Sequence, residues 1–290
     1  MPSRRNGVAL ICLDVDGTLL GVSGVVSGAV WDTLDRARDA GIHLAMCSGR
    51  PGFGVTRELA TRVDPNGWHC FQNGASVLHL GNGLSQSAPL DAAVVAMLVA
   101  RARTTGHTLE LYTDDDYVTE SFTDIARQHA ELLALPFVPR SYDTLEPPIV
   151  RAQWIVTHDE LEGVLAAPHP GLEVSPSLGP ALPDYVFVNL TRTGVDKGLA
   201  VRTIARAYDV SLEDVMYVGD GFNDTPALRI AGWPVVMRNA EEAALTLGRY
   251  VVGTVDEDGV VEAIEIAIRS RQAEERAAFL GLTHRIPPVR

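Results

Sequence analysis

The 290-residue sequence has few cysteines and no long apolar segment. Its three cysteines, Cys12, Cys47 and Cys70, form no CxxC pair, so neither a disulfide framework nor a zinc cluster is indicated. The longest apolar run, residues 92–100, is about half the length that a membrane-spanning helix needs. Asp14 and Asp16 interrupt the first apolar stretch, which argues against a signal peptide. We therefore expect a cytoplasmic protein without a transmembrane segment.

Basic residues are also scarce. The sequence has 24 basic and 37 acidic side chains and a formal net charge of −13, which repels nucleic acid and acidic lipid surfaces. Lysine is the rarest of all, because Lys197 is the only one and the other basic residues are arginines. We expect no nucleic-acid or membrane partner and a monomer or homodimer. A small phosphorylated ligand is compatible with this charge if a metal ion and local cations offset the field.

Short apolar runs alternate with helical patterns at both ends of the chain. Strand-like runs lie at 8–13, 43–47, 68–71, 214–218, 235–237 and 250–252, and helical patterns at 27–40, 197–208, 226–231 and 241–247. The first helical pattern starts at Ser27, and Gly41 lies where a C-terminal cap is expected. A strand-helix-strand rhythm of this kind predicts an α/β fold with an open parallel sheet, in which the third run, 68–71, continues the sheet.

The middle of the chain interrupts this rhythm. It has a hairpin signal at 81–83, a helical pattern at 91–103, a strand-like run at 108–112 and many prolines. We interpret residues 87–185 as a smaller α/β domain inserted into a core formed by residues 1–86 and 186–275. Residues 276–290 are expected to form a frayed tail.

Polar residues follow three of the predicted strands. Asp14 and Asp16 follow the first strand, Ser48 follows the second, and Asp220 and Asp224 follow a late strand. Ligands of open α/β sheets bind beyond the carboxyl ends of the strands. Carboxylates gathered there would repel one another without a cation, and oxygen ligands without His or Cys favour Mg²⁺. The alternative is that Asp14 and Asp16 only cap the following segment and shape a turn.

Four ordered motifs give the pattern its specificity: Asp14-x-Asp16-Gly17-Thr18, Ser48, Lys197 and Gly219-Asp220-x-x-Asn223-Asp224. Together they resemble the motifs of the haloacid dehalogenase superfamily of hydrolases. The position of the insertion, after Asn73-Gly74-Ala75, resembles the Cof-type branch, which includes sugar-phosphate phosphatases with a C2 (type IIB) α/β cap. The resemblance implies a Rossmann-like core and a phosphoric monoester hydrolase acting on a small phosphorylated metabolite.

The resemblance also implies roles for individual residues. Asp14 would be the nucleophile that forms an aspartyl phosphate, and Asp16 the general acid and base. The side chains of Asp14 and Asp220 and the backbone carbonyl of Asp16 would hold Mg²⁺, with Asp224 binding it directly or through water.

The phosphate group would be bound by a second set of residues. The backbone N–H groups of Gly17 and Thr18 would contribute, with Ser48, Gly49, Lys197 and Asn223. A compact lysine charge suits phosphate contact in a chain that otherwise uses arginine. The role of Arg50, beside this loop, stays open between substrate contact and a surface position.

Related chemistries are distinguished by single residues. The insertion contains no lysine, which excludes the Schiff-base chemistry of phosphonatases, and Asp16 is a second acid that haloacid dehalogenases lack. A phosphomutase of the same superfamily and a non-catalytic ligand-binding protein of the same fold remain alternatives. An NAD-dependent oxidoreductase is a more distant one, because no GxGxxG sequence follows the first strand.

Overall fold

The computed structural model describes residues 7–178 and 182–279. These residues contain twelve strands and nine α-helices. The strands are β1 (Leu10–Leu13), β2 (His43–Met46), β3 (Trp68–Phe71), β4 (Ser76–His79), β5 (Thr108–Tyr112), β6 (Tyr117–Val118), β7 (Arg151–Thr157), β8 (Leu172–Leu178), β9 (Tyr185–Arg192), β10 (Val215–Gly219), β11 (Trp233–Met237) and β12 (Tyr250–Val252). The helices are α1 (Gly28–Asp39), α2 (Val55–Val63), α3 (Ala92–Thr105), α4 (Asp124–Leu132), α5 (His158–Ala166), α6 (Lys197–Ala207), α7 (Thr225–Ile230), α8 (Glu242–Leu245) and α9 (Gly259–Phe279).

The chain divides into two units. The first contains residues 1–47 and 201–290, and the second contains residues 48–200. The predicted domain boundaries at residues 86 and 186 fall inside the second unit, and the division that they define stays a prediction. Of the predicted tail, residues 280–290 lie outside the described part of the chain.

The first unit is built on a parallel sheet of five strands in the order β12-β11-β10-β1-β2. β1 lies between β10 and β2, with Leu13 opposite both Val218 and Met46. The strands are short apolar runs, and β1 and β10 are buried throughout, as expected for a sheet covered on both faces. The register places the carboxyl ends of β1 and β10 at the same edge.

Helix α1 shows how local sequence sets the ends of an element. The Ser27 hydroxyl accepts a hydrogen bond from the Val30 N–H at 3.2 Å, and Gly41 follows the last turn with a φ of 72°. The predicted helix at 27–40 is therefore confirmed as α1. In the same unit, Arg36 of α1 forms an ion pair with Glu265 of α9 at 2.5 Å.

The second unit contains an antiparallel sheet of five strands in the order β6-β5-β7-β9-β8. One face carries apolar residues, among them Leu109, Trp154 and Val188, which form a buried core together with Leu98 of α3. The opposite face carries one small apolar cluster, Ile155 and Phe187 packed with Ile125. Most of it is a polar face that includes Glu110, Tyr112, Arg151, Gln153 and Asn189, all of which are buried.

Strand β3 corrects one prediction. The strand forms at Trp68–Phe71, but it pairs antiparallel with β4 and does not continue the parallel sheet. A single turn at Gln72–Gly74 joins the two strands, with φ of 54° at Gln72 and 55° at Asn73. This turn brings β4 back along β3, so the nearest strand in the sequence becomes the partner.

Among the helices of the described residues, none combines the length and the apolar character that crossing a membrane requires.

Candidate active site

Asp14 is fixed at the carboxyl end of β1. Its N–H donates to the Val218 carbonyl at 2.9 Å, which extends the pairing of β1 with β10 by one residue. The residue is only 5% exposed. A carboxylate this buried at the end of a central strand needs a positively charged or hydrogen-bonding environment. Asp16, two residues later, is exposed to solvent.

The turn after Asp14 packs against Asp220. A Cβ atom at Gly17 would lie 2.1 Å from Oδ2 of Asp220, so any side chain there would displace the Asp220 carboxylate. The Thr18 hydroxyl donates to Oδ1 of the same carboxylate at 2.9 Å. The N–H of Gly17 donates to the Leu20 carbonyl and that of Thr18 to the Val15 carbonyl, so the predicted phosphate contacts would share these donors with the turn.

Asp224 organises the loop that follows β10. Its Oδ2 accepts hydrogen bonds from the N–H groups of Asp220 and Gly221 at 3.0 and 2.9 Å, and its Oδ1 accepts one from the Tyr217 hydroxyl at 2.6 Å. Burial, together with the Asp224 carboxylate, raises the pKa of Tyr217 well above its ordinary value, so the phenol stays a donor. Asp224 is fully buried, whereas Asn223 beside it is exposed.

Asp14, Asp220 and Asp224 form an acidic cluster in the first unit. Each offers one carboxylate oxygen, and these oxygens lie within 4.8 Å of one another. Asp14 and Asp224 are buried and Asp220 is partly buried. Like charges at this spacing favour a bound cation, and an all-oxygen donor set fits a hard divalent ion. The acidic cluster therefore has the composition of a metal site.

Asn239, which the sequence interpretation missed, connects the loops of the acidic cluster. Its side-chain amide donates to the Gly17 carbonyl at 2.9 Å and accepts from the Val255 N–H at 2.9 Å. Nearby, the Glu241 N–H donates to the Asp220 carbonyl at 2.8 Å. Asn239 lies just after β11, so the rule that drew attention to the ends of β1 and β10 would also have found it.

Ser48, in the second unit, is completely buried and held from three sides. Its N–H donates to the Cys70 carbonyl at 2.9 Å and its carbonyl accepts from the Asn73 N–H at 3.1 Å. Its hydroxyl accepts a hydrogen bond from the Arg50 N–H at 3.0 Å. Gly49 follows, and a Cβ there would lie 3.1 Å from the Asn73 side chain.

Lys197 belongs to the same unit and is 1% exposed at the first turn of α6. Gly74 packs against the backbone just before it, because a Cβ at Gly74 would lie 2.2 Å from the Asp196 carbonyl oxygen and 3.2 Å from the Lys197 nitrogen. The turn at Asn73 and Gly74 thus contacts the backbone of Ser48 on one side and of Lys197 on the other.

The predicted residues therefore fall into two sets. Those of the first unit are Asp14, Asp16, Gly17, Thr18, Asp220, Asn223 and Asp224, and those of the second are Ser48, Gly49 and Lys197. The first unit brings three aspartates together, and the second links Ser48 to Lys197 through one turn.

A family profile described as haloacid dehalogenase-like hydrolase matches residues 11–264. This chain belongs to that family. The match covers well over half of the chain and confirms the predictions of superfamily and hydrolase class. The parallel sheet with its helices confirms the predicted α/β fold.

Similar proteins support the assignment to phosphatases. 5-Amino-6-(5-phospho-D-ribitylamino)uracil phosphatase YwtE of Bacillus subtilis is 24% identical over 291 residues, covering 91% of this chain and 99% of that protein. A haloacid dehalogenase-like hydrolase from Bacteroides thetaiotaomicron is similar in structure, with a TM-score of 0.79, 29% identity, and 89% and 98% of the two chains covered. A subclass IIB sugar phosphatase of the superfamily has the same fold, with a TM-score of 0.73, 21% identity and the same coverage.

Proposed function

We propose that this hydrolase is a Mg²⁺-dependent phosphatase that cleaves a small phosphorylated metabolite through an aspartyl phosphate on Asp14. The observation that carries the proposal is the all-oxygen acidic cluster around a buried Asp14 at the end of β1. The site motifs and the family match support the same reaction class.

In the first step, a carboxylate oxygen of Asp14 attacks the phosphorus atom. A new O–P bond forms to Asp14 while the bond between phosphorus and the leaving alcohol oxygen breaks. Asp16 donates a proton to that oxygen, a role that the solvent exposure of its side chain permits.

In the second step, the now ionised Asp16 accepts a proton from water as the water oxygen attacks the phosphorus of the aspartyl phosphate. The bond between phosphorus and Asp14 breaks, which releases inorganic phosphate and restores both carboxyl groups. The buried position of Asp14 limits the access of other nucleophiles to this intermediate.

The metal would be held by the carboxylates of Asp14 and Asp220 and by the carbonyl of Asp16. Asp224, already bonded to three donors, would support this set through the loop or through water. When bound, Mg²⁺ neutralises charge so that a carboxylate and a phosphate can approach each other.

The phosphate would be bound by Ser48, Gly49 and Lys197, with Asn223 and the turn at Gly17 and Thr18 beside it. Lys197 suits this role because it is a buried point charge. Its approach to the acidic cluster is part of the proposal.

The substrate is proposed to be a sugar phosphate or a related phosphoester, in keeping with the names of the similar phosphatases. We also propose a cytoplasmic location, since Cys12, Cys47 and Cys70 are all buried free thiols.

The test is phosphate release from a panel of sugar phosphates and other small phosphoesters, with Mg²⁺ or with EDTA. We expect turnover only with the metal, and a loss of several orders of magnitude in Asp14→Asn. Asp32→Asn, an exposed aspartate of α1, is the matched control and should retain full activity. Equal activity in the Asp14→Asn and Asp32→Asn variants would contradict the proposal. Transfer to a sugar without phosphate release would indicate a phosphomutase.

A further inference from the structure

Arg151 lies on the polar face of the second unit's sheet and is 4% exposed. Its guanidinium carbon is 4.0 Å from the centre of the Tyr112 ring, in the geometry of a cation-π contact. Its Nη1 donates to the Gly49 carbonyl at 3.1 Å and to Oδ1 of Asn189 at 3.3 Å. Arg151 is therefore fixed by three neighbours, one of which directly follows Ser48.

These neighbours leave the charge of Arg151 without an anionic partner in the described residues. The acceptors of Nη1 are both neutral, and Nε is buried with no hydrogen-bond partner. Glu110 on the same face is engaged elsewhere, because it accepts hydrogen bonds from the Tyr112 hydroxyl at 2.5 Å and from Gln153, and lies 2.9 Å from Nδ1 of His129.

A buried cation in this state is costly. The desolvation free energy of a guanidinium is offset well only by an anion or by hydrogen bonds from all its N–H groups. A neutral carbonyl offsets less of it than a carboxylate or phosphate does. The fork of N–H groups on arginine matches both of these anions. The position is thus suited to an anion that is supplied by a ligand.

The location of Arg151 relates this anion to the substrate. The Gly49 carbonyl that it contacts belongs to the loop proposed to bind the transferred phosphate. The anion bound by Arg151 would therefore be a second anionic group on the same substrate molecule. Asn189 continues the polar face towards exposed Ser177, to whose hydroxyl it donates at 3.3 Å. Hydroxyl and amide groups of this kind suit a polyhydroxylated ligand.

We propose that Arg151 is a specificity residue that binds a second anionic group, a carboxylate or a second phosphate, on a polyhydroxylated phosphoester substrate. This inference rests on the proposed function. It narrows the substrate class to phosphoesters that carry an additional negative charge on the leaving group.

Three ligands with a common hexose skeleton test the proposal: glucose 6-phosphate, 6-phosphogluconate and glucose 1,6-bisphosphate. Their binding is measured by calorimetry with Mg²⁺ on Asp16→Asn protein, which keeps all three carboxylates of the acidic cluster, and their hydrolysis by the wild type is measured as kcat/KM. We expect about tenfold or stronger preference for one of the two ligands with a second anion. Comparing the carboxylate and the bisphosphate identifies which anion is recognised.

Arg151→Met should abolish this preference while changing the binding of glucose 6-phosphate by less than about threefold. Arg151→Lys, which keeps the charge, should retain part of it, and this variant covers the case in which methionine impairs folding. Arg192→Met removes an exposed arginine from the end of β9 and should leave the preference intact.

Two results would overturn the proposal. One is equal affinity for all three ligands when Arg151 is present, and the other is an equal loss of affinity for all three ligands in both Arg151 variants. The second result would make Arg151 only a positioning residue for the Gly49 loop. Preferential binding without any phosphate release by the wild type would instead refute the proposed function and leave the role of Arg151 standing.

Discussion

At the scale of single residues, two glycines set the geometry of the proposed site by leaving room for other groups. Gly17 leaves space for the Asp220 carboxylate, and Gly74 leaves space for the backbone before Lys197. Gly74 also has a φ of 103°, which side chains with a Cβ rarely adopt. Steric exclusion and backbone conformation therefore act together at Gly74.

These two effects can be separated by comparing Gly74→Ala with Gly83→Ala. Gly83 has a φ of 71°, but a Cβ there would have no atom within 4 Å, so alanine costs only backbone strain of about 1 kcal/mol. Alanine at Gly74 must in addition displace the Asp196 carbonyl, and we expect a loss of about 3 kcal/mol or more in the free energy of unfolding. Urea denaturation measures the free energy of unfolding of both variants. Equal losses would show that the close contact at Gly74 does not contribute to stability.

At the scale of elements, the segment after β11 holds the loops that follow β1 and β10. Asn239→Ala removes the hydrogen bond to the Gly17 carbonyl, and we expect kcat and Mg²⁺ affinity to fall about tenfold or more, as for residues that orient metal ligands. Steady-state kinetics across a Mg²⁺ titration provides the measurement. Arg238→Ala, which changes an exposed ion pair with Glu257, serves as the neighbouring control. Identical kinetics in the two variants would show that Asn239 does not contribute to the site.

Strand β3 contains a histidine that makes the stability of the second unit depend on pH. Burial lowers the pKa of His69 from 6.5 to about 4, and the ring contacts the Asp64 carbonyl at 2.8 Å. Between these values the unfolded chain binds a proton that the folded chain does not, so stability falls as the pH drops below 6.5 and is unaffected by His69 above it.

His69→Gln replaces the ring N–H donor by an amide N–H donor and removes the titration. From pH 7 to pH 5 the wild type should lose about 2 kcal/mol more than the variant in the free energy of unfolding. Urea denaturation at the two pH values gives this difference directly. Parallel losses in both proteins would mean that His69 protonates normally in the folded state.

The elements that the sequence predicts well are those set by neighbouring residues. Ser27 caps α1 from three residues away, and the apolar runs of β1 and β10 end at the aspartates that they position. The pairing of β3 could not be predicted, because an apolar run does not indicate its partner. Arg151 went unassigned for a related reason, since its contacts with Gly49 and Asn189 span 102 and 38 residues of the chain.

At the scale of the whole molecule, metal binding should be visible as stability. The carboxylates of the acidic cluster repel one another without a cation, so Mg²⁺ at about 100 times its Kd should add about 2.7 kcal/mol to the free energy of unfolding of the first unit. Asp220→Asn retains an acceptor for Thr18 but removes one charge. It should abolish the Mg²⁺ effect and be more stable than the wild type in EDTA.

Thermal unfolding with Mg²⁺ and with EDTA tests both statements. Asp209→Asn, outside the acidic cluster, should keep the full metal response. A Mg²⁺-dependent shift of equal size in Asp220→Asn and wild-type protein would place the metal elsewhere.

The burial of Lys197 has a practical consequence, since it is the only side-chain amine in the chain. Acylating reagents would find this target covered in the native protein and would modify it only during transient opening. The rate of its acylation therefore reports the rate of local opening around the start of α6. A bound phosphoryl group that contacts the amine would lower this acylation rate.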